Sequence, residues 1–558
     1  MTDAPATAQP DWSGVYAELG ISEPPYDDTP LAAHIARHAQ EIPDALAMAF
    51  GPRTYSFADL EAATGKLAKG LAGLGIGKGD VVGLHMPNIP QYMVALAALS
   101  RLGAIGSGLS PLLAPPEAAY QINDAGMKAV LSLSDLSPSL AKMADVPACL
   151  EFVIQTGPRD HLDAPDFELI PIGDRPVHRY LEVTDNDGAV GQTPVGPDDV
   201  FMIQYTGGTT GRPKGAMLGV RQLMHNFMQA SAADPEYIAG KEVLASTFPM
   251  FHIAGLTFAL CAMRTGGLFF LTPNPRDAAH FVDLLKAHPP TRMAAVPAFY
   301  EMLLGEPEAA NVDYSGLHVI KTGAAPMSGA TRDRLISLMG PGKMADVFGM
   351  TETSPCYLMH PRNRYKPGSV GIPMPGADVR IADVEDRDRL LPPGEAGEII
   401  SAGVHVMQGY LNLPDETDTA LRQLNGTRYM YSGDVGYMDE EGYVFLCDRA
   451  KDMLIVGGFK VFSVEVEDKL MGLPEVEQCA IIGFPDRARP GNDVVHLFVE
   501  RPASAAEPED AVRETITGFC RENMAPYKVP KRIHFIDAIP LTPVGKIDKK
   551  ALRVDEPT

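Results

Sequence analysis

The sequence predicts an α/β protein. It has a large N-terminal domain of layered α/β subdomains, with a small β-rich subdomain at about 361–448, and a small α+β C-terminal domain at 449–558. Three observations predict this. At 558 residues the chain exceeds what a single compact core organises, and typical domain sizes give about two to four units. Short apolar runs alternate with helical stretches, the pattern of stacked layers with mainly parallel strands. After Thr353 the texture changes, and Pro361 to Gly409 is dense in Pro and Gly, which suits a small β-rich unit.

The opening residues, MTDAPATAQPDW, have no basic stretch leading into an apolar core. They form no signal peptide, and 1–28 reads as a short tail. Val81–Leu84, Ala129–Leu131 and Phe152–Ile154 are short apolar runs predicted as buried strands. Tyr92 to Leu102 repeats apolar residues at three and four and is predicted helical. The longest apolar stretch, Tyr92 to Ala114, is broken by Arg101 and Pro111, so it is no membrane span. Ile170 to Pro197 is connecting structure. A strand is expected at Val200–Tyr205, and after it a helix with Leu223, Met224, Phe227 and Met228 on one side. Val379–Ile381 and Gly397–Ile400 supply strands to the β-rich part. From about Arg449 a mixed pattern restarts, with a strand at Met453–Val456 and a helix at Ser463–Met471. Strands at Ala480–Ile482 and Val494–Val499 follow, then a helix from about Ala511 to Asn523.

Hydrophobic content of 45% and charged content of 21% are ordinary for a globular protein. A net charge of −24 argues against a nucleic-acid surface, which needs clustered basic residues. Any anionic ligand must therefore be held by local donors. The six cysteines lie far apart, with no zinc spacing. They read as free thiols in a reducing compartment, with the cytoplasm as the default.

YTGGTTGRPKG, Tyr205 to Gly215, fills Thr206, Gly207, Gly208, Thr209, Thr210 and Gly211 with glycine and threonine and adds Lys214. Unhindered backbone N–H groups and small hydroxyls beside one lysine suit a phosphate chain. The stretch does not fit G-x-x-x-x-G-K-[ST]. A strand, a loop and a helix in that order would place the donors at a helix entry, where phosphates bind.

Three further stretches carry chemistry. VFGMTET, Val347 to Thr353, pairs Thr351 with Glu352. A carboxylate there is a reasonable ligand for magnesium on ATP, although a Thr-Glu pair alone is more often a helix start. In YSGDVGYMDEEGYVFLCDRAKD, Asp434 follows a Ser-Gly turn and Arg449 follows a strand. A carboxylate can accept both ribose hydroxyls with an arginine beside it; alone, the stretch is a hairpin with exposed charges. LTPVGKIDKK puts Lys546 on a glycine-containing loop near the C-terminus; alone, it is a basic tail.

In this order the four stretches closely resemble the acyl-adenylate-forming superfamily: acyl-CoA synthetases, luciferases and peptide-synthetase adenylation domains. The likeness runs from about Thr29 to Leu552. The run Asp448 to Asp468, DRAKDMLIVGGFKVFSVEVED, is most similar to the fatty- and aryl-acyl-CoA synthetase branch. The resemblance implies an N-terminal adenylation domain at 29–448 holding ATP and a carboxylic acid. It also implies a mobile C-terminal domain at 449–558 that alternates between two half-reactions, and a homodimer as a common assembly.

Residue by residue, it implies that Tyr205 to Gly215 cover the β- and γ-phosphates, with Thr206 and Glu352 near Mg2+. Gly323, Ala324, Ala325 and Pro326, with Asp346, Val347, Phe348, Gly349 and Met350, would flank the adenine. Thr351 would bond the α-phosphate, and Asp434 with Arg449 the ribose. Lys546 would bridge the acid's carboxylate and the α-phosphate, and Lys451 would be the hinge. Gly457 and Gly458 would leave room for the pantetheine arm of coenzyme A, and His252 would gate the acid pocket. Three positions depart from the family pattern. Phe348 stands where tyrosine is usual, Gly219-Val220-Arg221 replaces a Thr-His-Arg-type segment, and Lys460 replaces Asn or Glu.

The leading expectation is an ATP-dependent acyl-CoA synthetase acting on a fatty, short branched or aryl acid. An alternative keeps the adenylation and loads a carrier-protein phosphopantetheine; no carrier segment occurs in this chain. Thr247 to Thr257 contains no acid to hold an ammonium group, which disfavours amino acids. A non-catalytic nucleotide-binding protein would have to explain why Lys546, Glu352 and Thr206 are all present.

Overall fold

The computed structural model describes residues 12–160, 167–206, 212–234, 237–323, 327–449, 451–457, 459–486, 489, 492–502, 507–541 and 547–553. They form two compact units. One gathers the described residues up to Val379 together with Ser401–Met430. The other gathers Arg380–Ile400 and the described residues from Tyr431 onward.

The first unit is built on two large sheets. An eight-stranded sheet runs in the order Gly409–Tyr410, Lys214–Gly219, Val200–Thr206, Ile105–Gly108, Val81–His85, Met127–Leu133, Phe152–Thr156, Val177–Arg179. From Val200–Thr206 to Val177–Arg179 neighbouring strands are parallel; Lys214–Gly219 and Gly409–Tyr410 add on antiparallel. A nine-stranded sheet is parallel from Met344–Gly349 through Val319–Thr322, Arg292–Ala295, Val243–Ser246 and Leu268–Phe270 to Leu46–Phe50. Its edges are antiparallel. Parallel strands are covered on both faces, so they read as continuous apolar runs rather than alternations. Val81–His85 is buried at every position.

Helix Pro90–Leu102 is buried at every residue. Pro90 opens it with a preset φ, and Gly103 closes it in the left-handed region at φ 66°. Burying Arg101 on such a helix would be costly unpaired; Glu61 Oε2 meets its guanidinium at 2.6 Å. A second buried cation, Lys321, lies on Val319–Thr322, just before Gly323. Its ammonium is 2.7 Å from Asp234 Oδ2. Arg292 on the neighbouring strand pairs with Glu242 at 3.1 Å and lies 3.6 Å from the centre of the Tyr237 ring.

In the second unit, Val444–Arg449 pairs antiparallel with the chain that carries Asp434, setting Asp434 opposite Arg449. Beyond it come a short hairpin, Leu454–Val456 with Phe459–Val461, and a sheet ordered Gln478–Pro485, Asp493–Glu500, Arg532–Ile536. Helices Ser463–Leu470 and Glu509–Asn523 complete a core around Leu454, Val466, Ile481, Leu497 and Ile516. Among the described residues no helix is long and apolar enough to cross a membrane, and the six cysteines are free thiols.

Candidate active site

The glycine- and threonine-rich stretch sits differently from the expectation. It joins Val200–Thr206 to an antiparallel partner, Lys214–Gly219, with Thr206 paired to Lys214. It is thus the connection of a hairpin, and helix Val220–Ala232 starts only after the second strand. KGAMLG neither alternates nor carries β-branched residues, so its strand character is set by pairing, not by propensity. Tyr205 anchors the incoming strand by donating its hydroxyl to Asp124 Oδ2 at 2.7 Å. Gly207, Gly208, Thr209, Thr210 and Gly211 lie outside the described residues.

Thr351 and Glu352 open a short 3-10 turn, Thr351–Thr353. The turn is held by its own backbone and by Thr353. Met350 N donates to Thr353 Oγ1 at 3.0 Å and to Pro355 O at 2.8 Å, and Thr353 Oγ1 donates to Pro355 O at 2.6 Å. Ser354 completes it at φ 67°, a left-handed value uncommon for a residue other than glycine. Glu352 is 5% exposed. Its backbone oxygen accepts from Met407 N at 2.8 Å, and its Oε1 accepts from the Tyr410 hydroxyl at 2.6 Å. Burial, then the Glu352 carboxylate, holds the Tyr410 phenol far above its usual range, so the hydroxyl stays a donor. The Lys214 ammonium pairs with Glu416 and lies 5.1 Å from the Tyr410 ring centre.

Asp346 to Met350 form the outgoing half of strand Met344–Gly349 and the residue after it. Asp346 Oδ2 accepts from Tyr365 OH at 2.8 Å, and burial pushes its carboxyl up against the opposing pull of Tyr365 and Arg332. Asp346 Oδ1 is buried without a hydrogen-bond partner among the described residues. The Phe348 ring meets Tyr357 edge-on at 5.7 Å. At Gly349 an added Cβ would lie 1.8 Å from Pro355 O and 2.8 Å from Cys356 Cα, both backbone atoms. Gly349→Ala is therefore expected to destabilise the protein by about 1–3 kcal/mol, the usual range for overpacking; a lowered unfolding midpoint by calorimetry checks it. Gly323 is similarly close to Val347 O, at 2.8 Å from a built Cβ. Ala324, Ala325 and Pro326 lie outside the described residues.

His252 precedes helix Ile253–Thr265, and its Nδ1 accepts from Ala254 N at 3.3 Å as a cap. The turn before it is clamped by Asn88, which donates to Phe248 O at 2.9 Å and accepts from Met250 N at 2.7 Å. Lys214–Gly219, the Thr351 turn and Gly409–Tyr410 thus meet in one place through Lys214, Tyr410 and Glu352.

In the second unit, Asp434 is 8% exposed, and its Oδ1 lies 2.7 Å from Arg449 Nε. Its backbone N donates to Ser432 Oγ at 3.0 Å. Lys451 is exposed in a turn, and its carbonyl accepts from Arg553 at 3.4 Å. Gly457 has φ 62°, and among the described residues an added Cβ would meet nothing within 4 Å. Gly458 and Lys546 lie outside the described residues.

Sequence reasoning missed Tyr410, Glu416 and Asn88. Tyr410 sits in GYLNLPDET with no charge or metal spacing to mark it. Asn88 reads as an ordinary loop residue. Only the distance across the fold gives each a partner.

A model of the AMP-binding enzyme family matches residues 35–411, and a model of the AMP-binding enzyme C-terminal domain matches 465–546. A long-chain-fatty-acid–CoA ligase of Escherichia coli O6:H1 is 34% identical over 498 residues, covering 86% of each chain. A feruloyl-CoA synthase of an Amycolatopsis species is 31% identical over 527 residues, covering 94% of this chain and 98% of the relative. Among solved structures, the ATP-bound MatB of Rhodopseudomonas palustris superposes with a TM-score of 0.80 at 28% identity, covering 94% of this chain and 98% of that one. With its larger family region, its C-terminal region and its sheet architecture all matched, the chain belongs to the AMP-binding enzyme family.

Proposed function

We propose that this protein is an ATP-dependent acid–CoA ligase. A carboxylic acid attacks the α-phosphate of ATP to give an acyl-adenylate and pyrophosphate. The thiol of coenzyme A then takes the acyl group, and AMP leaves. The observation that carries this reading is the Lys214–Tyr410–Glu352 constellation beside the phosphate-loop hairpin. It places an ammonium over the face of one ring and a buried carboxylate at that ring's hydroxyl, a cation for phosphate and an acid for a metal side by side.

The residues present fit the nucleotide and its metal. No cluster of three or more His, Cys, Asp or Glu capable of holding an ion occurs among the described residues. Mg2+, which keeps several waters and is usually bound through one or two carboxylates plus phosphates, asks for no such cluster. Glu352 and Thr206 would hold it, and its charge would offset that building up as pyrophosphate leaves. Asp346 Oδ1, buried and without a hydrogen-bond partner among the described residues, suits the amino group of adenine, since a buried acceptor otherwise carries a desolvation cost. Asp434, paired with Arg449 on one oxygen, would accept from ribose hydroxyls. The open space beside Gly457 suits passage of a thin pantetheine chain.

The acid is uncharged beyond its carboxylate: fatty, short branched or aryl. Phe248, Met250 and Leu256 are buried apolar residues near the capped His252, and Phe251 and Met350 are half-buried against the same core. Six free thiols suit the reducing cytoplasm.

The test is AMP release from MgATP across fatty, branched, benzoic and cinnamic acids, with and without CoA. Sustained AMP formation that needs both one acid class and CoA is expected. ATP–pyrophosphate exchange with no CoA-dependent turnover would overturn CoA as acceptor and point to a protein-bound thiol.

A further inference from the structure

Tyr410 lies against both Glu352 and Lys214. It lies on Gly409–Tyr410, the short edge strand paired to the outgoing strand of the phosphate hairpin, with Tyr410 opposite Ala216. Leu411 N donates to Gly215 O at 2.8 Å, and Thr417 Oγ1 accepts from Tyr410 N at 2.9 Å. The ring is thereby fixed at its backbone, and the residue is 8% exposed. Its hydroxyl reaches Glu352 Oε1 at 2.6 Å, while the Lys214 ammonium lies 5.1 Å from its ring centre, within cation–π range. Two residues past the start of helix Pro414–Ala420, Glu416 pairs with the same ammonium from a half-exposed position.

Resting on the reading of Glu352 and Lys214 as metal and phosphate ligands, we propose that Tyr410 is a positioning residue of the nucleotide–metal site. Its hydroxyl aims the Glu352 carboxylate, its ring face seats the Lys214 ammonium, and Glu416 occupies that ammonium where a nucleotide phosphate would. The physical logic is that a carboxylate on a short turn has rotational freedom about its last bond. A hydrogen bond from a fixed donor restricts that freedom, and a carboxylate has about four acceptor sites to share. Groups that orient a metal ligand in this way typically affect metal affinity by about 10–100-fold. Glu416 acts in the opposite direction, because a phosphate must displace it from Lys214.

The test measures Mn2+ affinity by electron paramagnetic resonance in the full-length protein with α,β-methylene-ATP bound, together with affinity for that nucleotide. It compares wild type with Tyr410→Phe, Glu352→Gln and Glu416→Gln. Glu352→Gln and Tyr410→Phe are expected to weaken Mn2+ binding, the latter by about tenfold. Glu416→Gln, at an exposed site that tolerates substitution, is expected to tighten the nucleotide by about two- to fivefold, the scale of an exposed ion pair. A purely structural role would move the Tyr410 and Glu416 variants in the same direction. Weakened Mn2+ binding in Glu352→Gln alongside wild-type affinity in Tyr410→Phe overturns the positioning role. Unchanged affinity in Glu352→Gln overturns the metal reading itself, and the proposal with it.

Discussion

Lys546→Ala is expected to slow acyl-adenylate formation by about a hundred- to a thousandfold, the cost of removing one preorganised charge-stabilising donor. Thioester formation from pre-made acyl-adenylate should stay near the wild-type rate. A carboxylate approaching an anionic α-phosphate is repelled, and negative charge grows on the bridging oxygens as pyrophosphate departs. An ammonium at those oxygens lowers that barrier and orients the pair; it has no comparable task when a thiol attacks an already formed mixed anhydride. Described residues on either side of the segment carrying Lys546, Leu541 and Ile547 to Lys549, are held in place. Leu541 bridges Ile547 antiparallel, Asp548 N donates to Pro540 O at 2.7 Å, and Lys549 Nζ lies 2.7 Å from Glu467 Oε1. Arg553 adds a 2.7 Å pair with Asp452. An unfolding midpoint equal to the wild type's separates lost activity from lost folding. Pyrophosphate release and, separately, thioester yield from synthetic adenylate measure the two steps; equal loss in both would remove Lys546 from the adenylation role.

Lys451→Pro is expected to do the reverse, sparing adenylation and slowing thioester formation. If the C-terminal domain uses two settings for two half-reactions, one residue at the joint must absorb a φ/ψ change. Proline holds φ near −65°, and a conflict with that value costs about 3 kcal/mol. Imposed on one setting only, that is about a hundredfold in rate. The turn that Lys451 occupies is anchored from its neighbours: Arg449 O accepts from Asp452 N at 2.8 Å and from Met453 N at 2.9 Å. Single-turnover mixing of pre-made adenylate with CoA reads the effect, and an unimpaired thioester step would refute a hinge at Lys451.

Much of the architecture is legible from residue order. Val81–His85, Phe152–Thr156, Pro90–Leu102 and Glu509–Asn523 form where their apolar patterns place them. Burial on both faces makes a parallel strand continuous in sequence, and a helix must repeat its apolar residues near every 3.6. The hairpin after Val200–Thr206 was not legible in shape. TGGTTG announces donors for phosphate, yet KGAMLG has no periodicity to show a strand, and the helix entry expected there is displaced beyond Gly219. Thr351–Glu352 was legible as a helix start and as a carboxylate in the right order along the chain.

By itself, the sequence determined the α/β class, the order of the motifs and the membership in a family of adenylating enzymes. Those properties reside in local pattern and in residue types that keep their chemistry in any setting. The tertiary structure alone decided which groups answer one another. Tyr410 reaches Glu352 across 58 residues, Asn88 clamps Phe248 across 160, and Lys321 finds Asp234 across 87. A buried ammonium or carboxylate is tolerated only where a partner meets it. That partner is fixed by how sheets and helices stack, and no spacing along the chain records the distance.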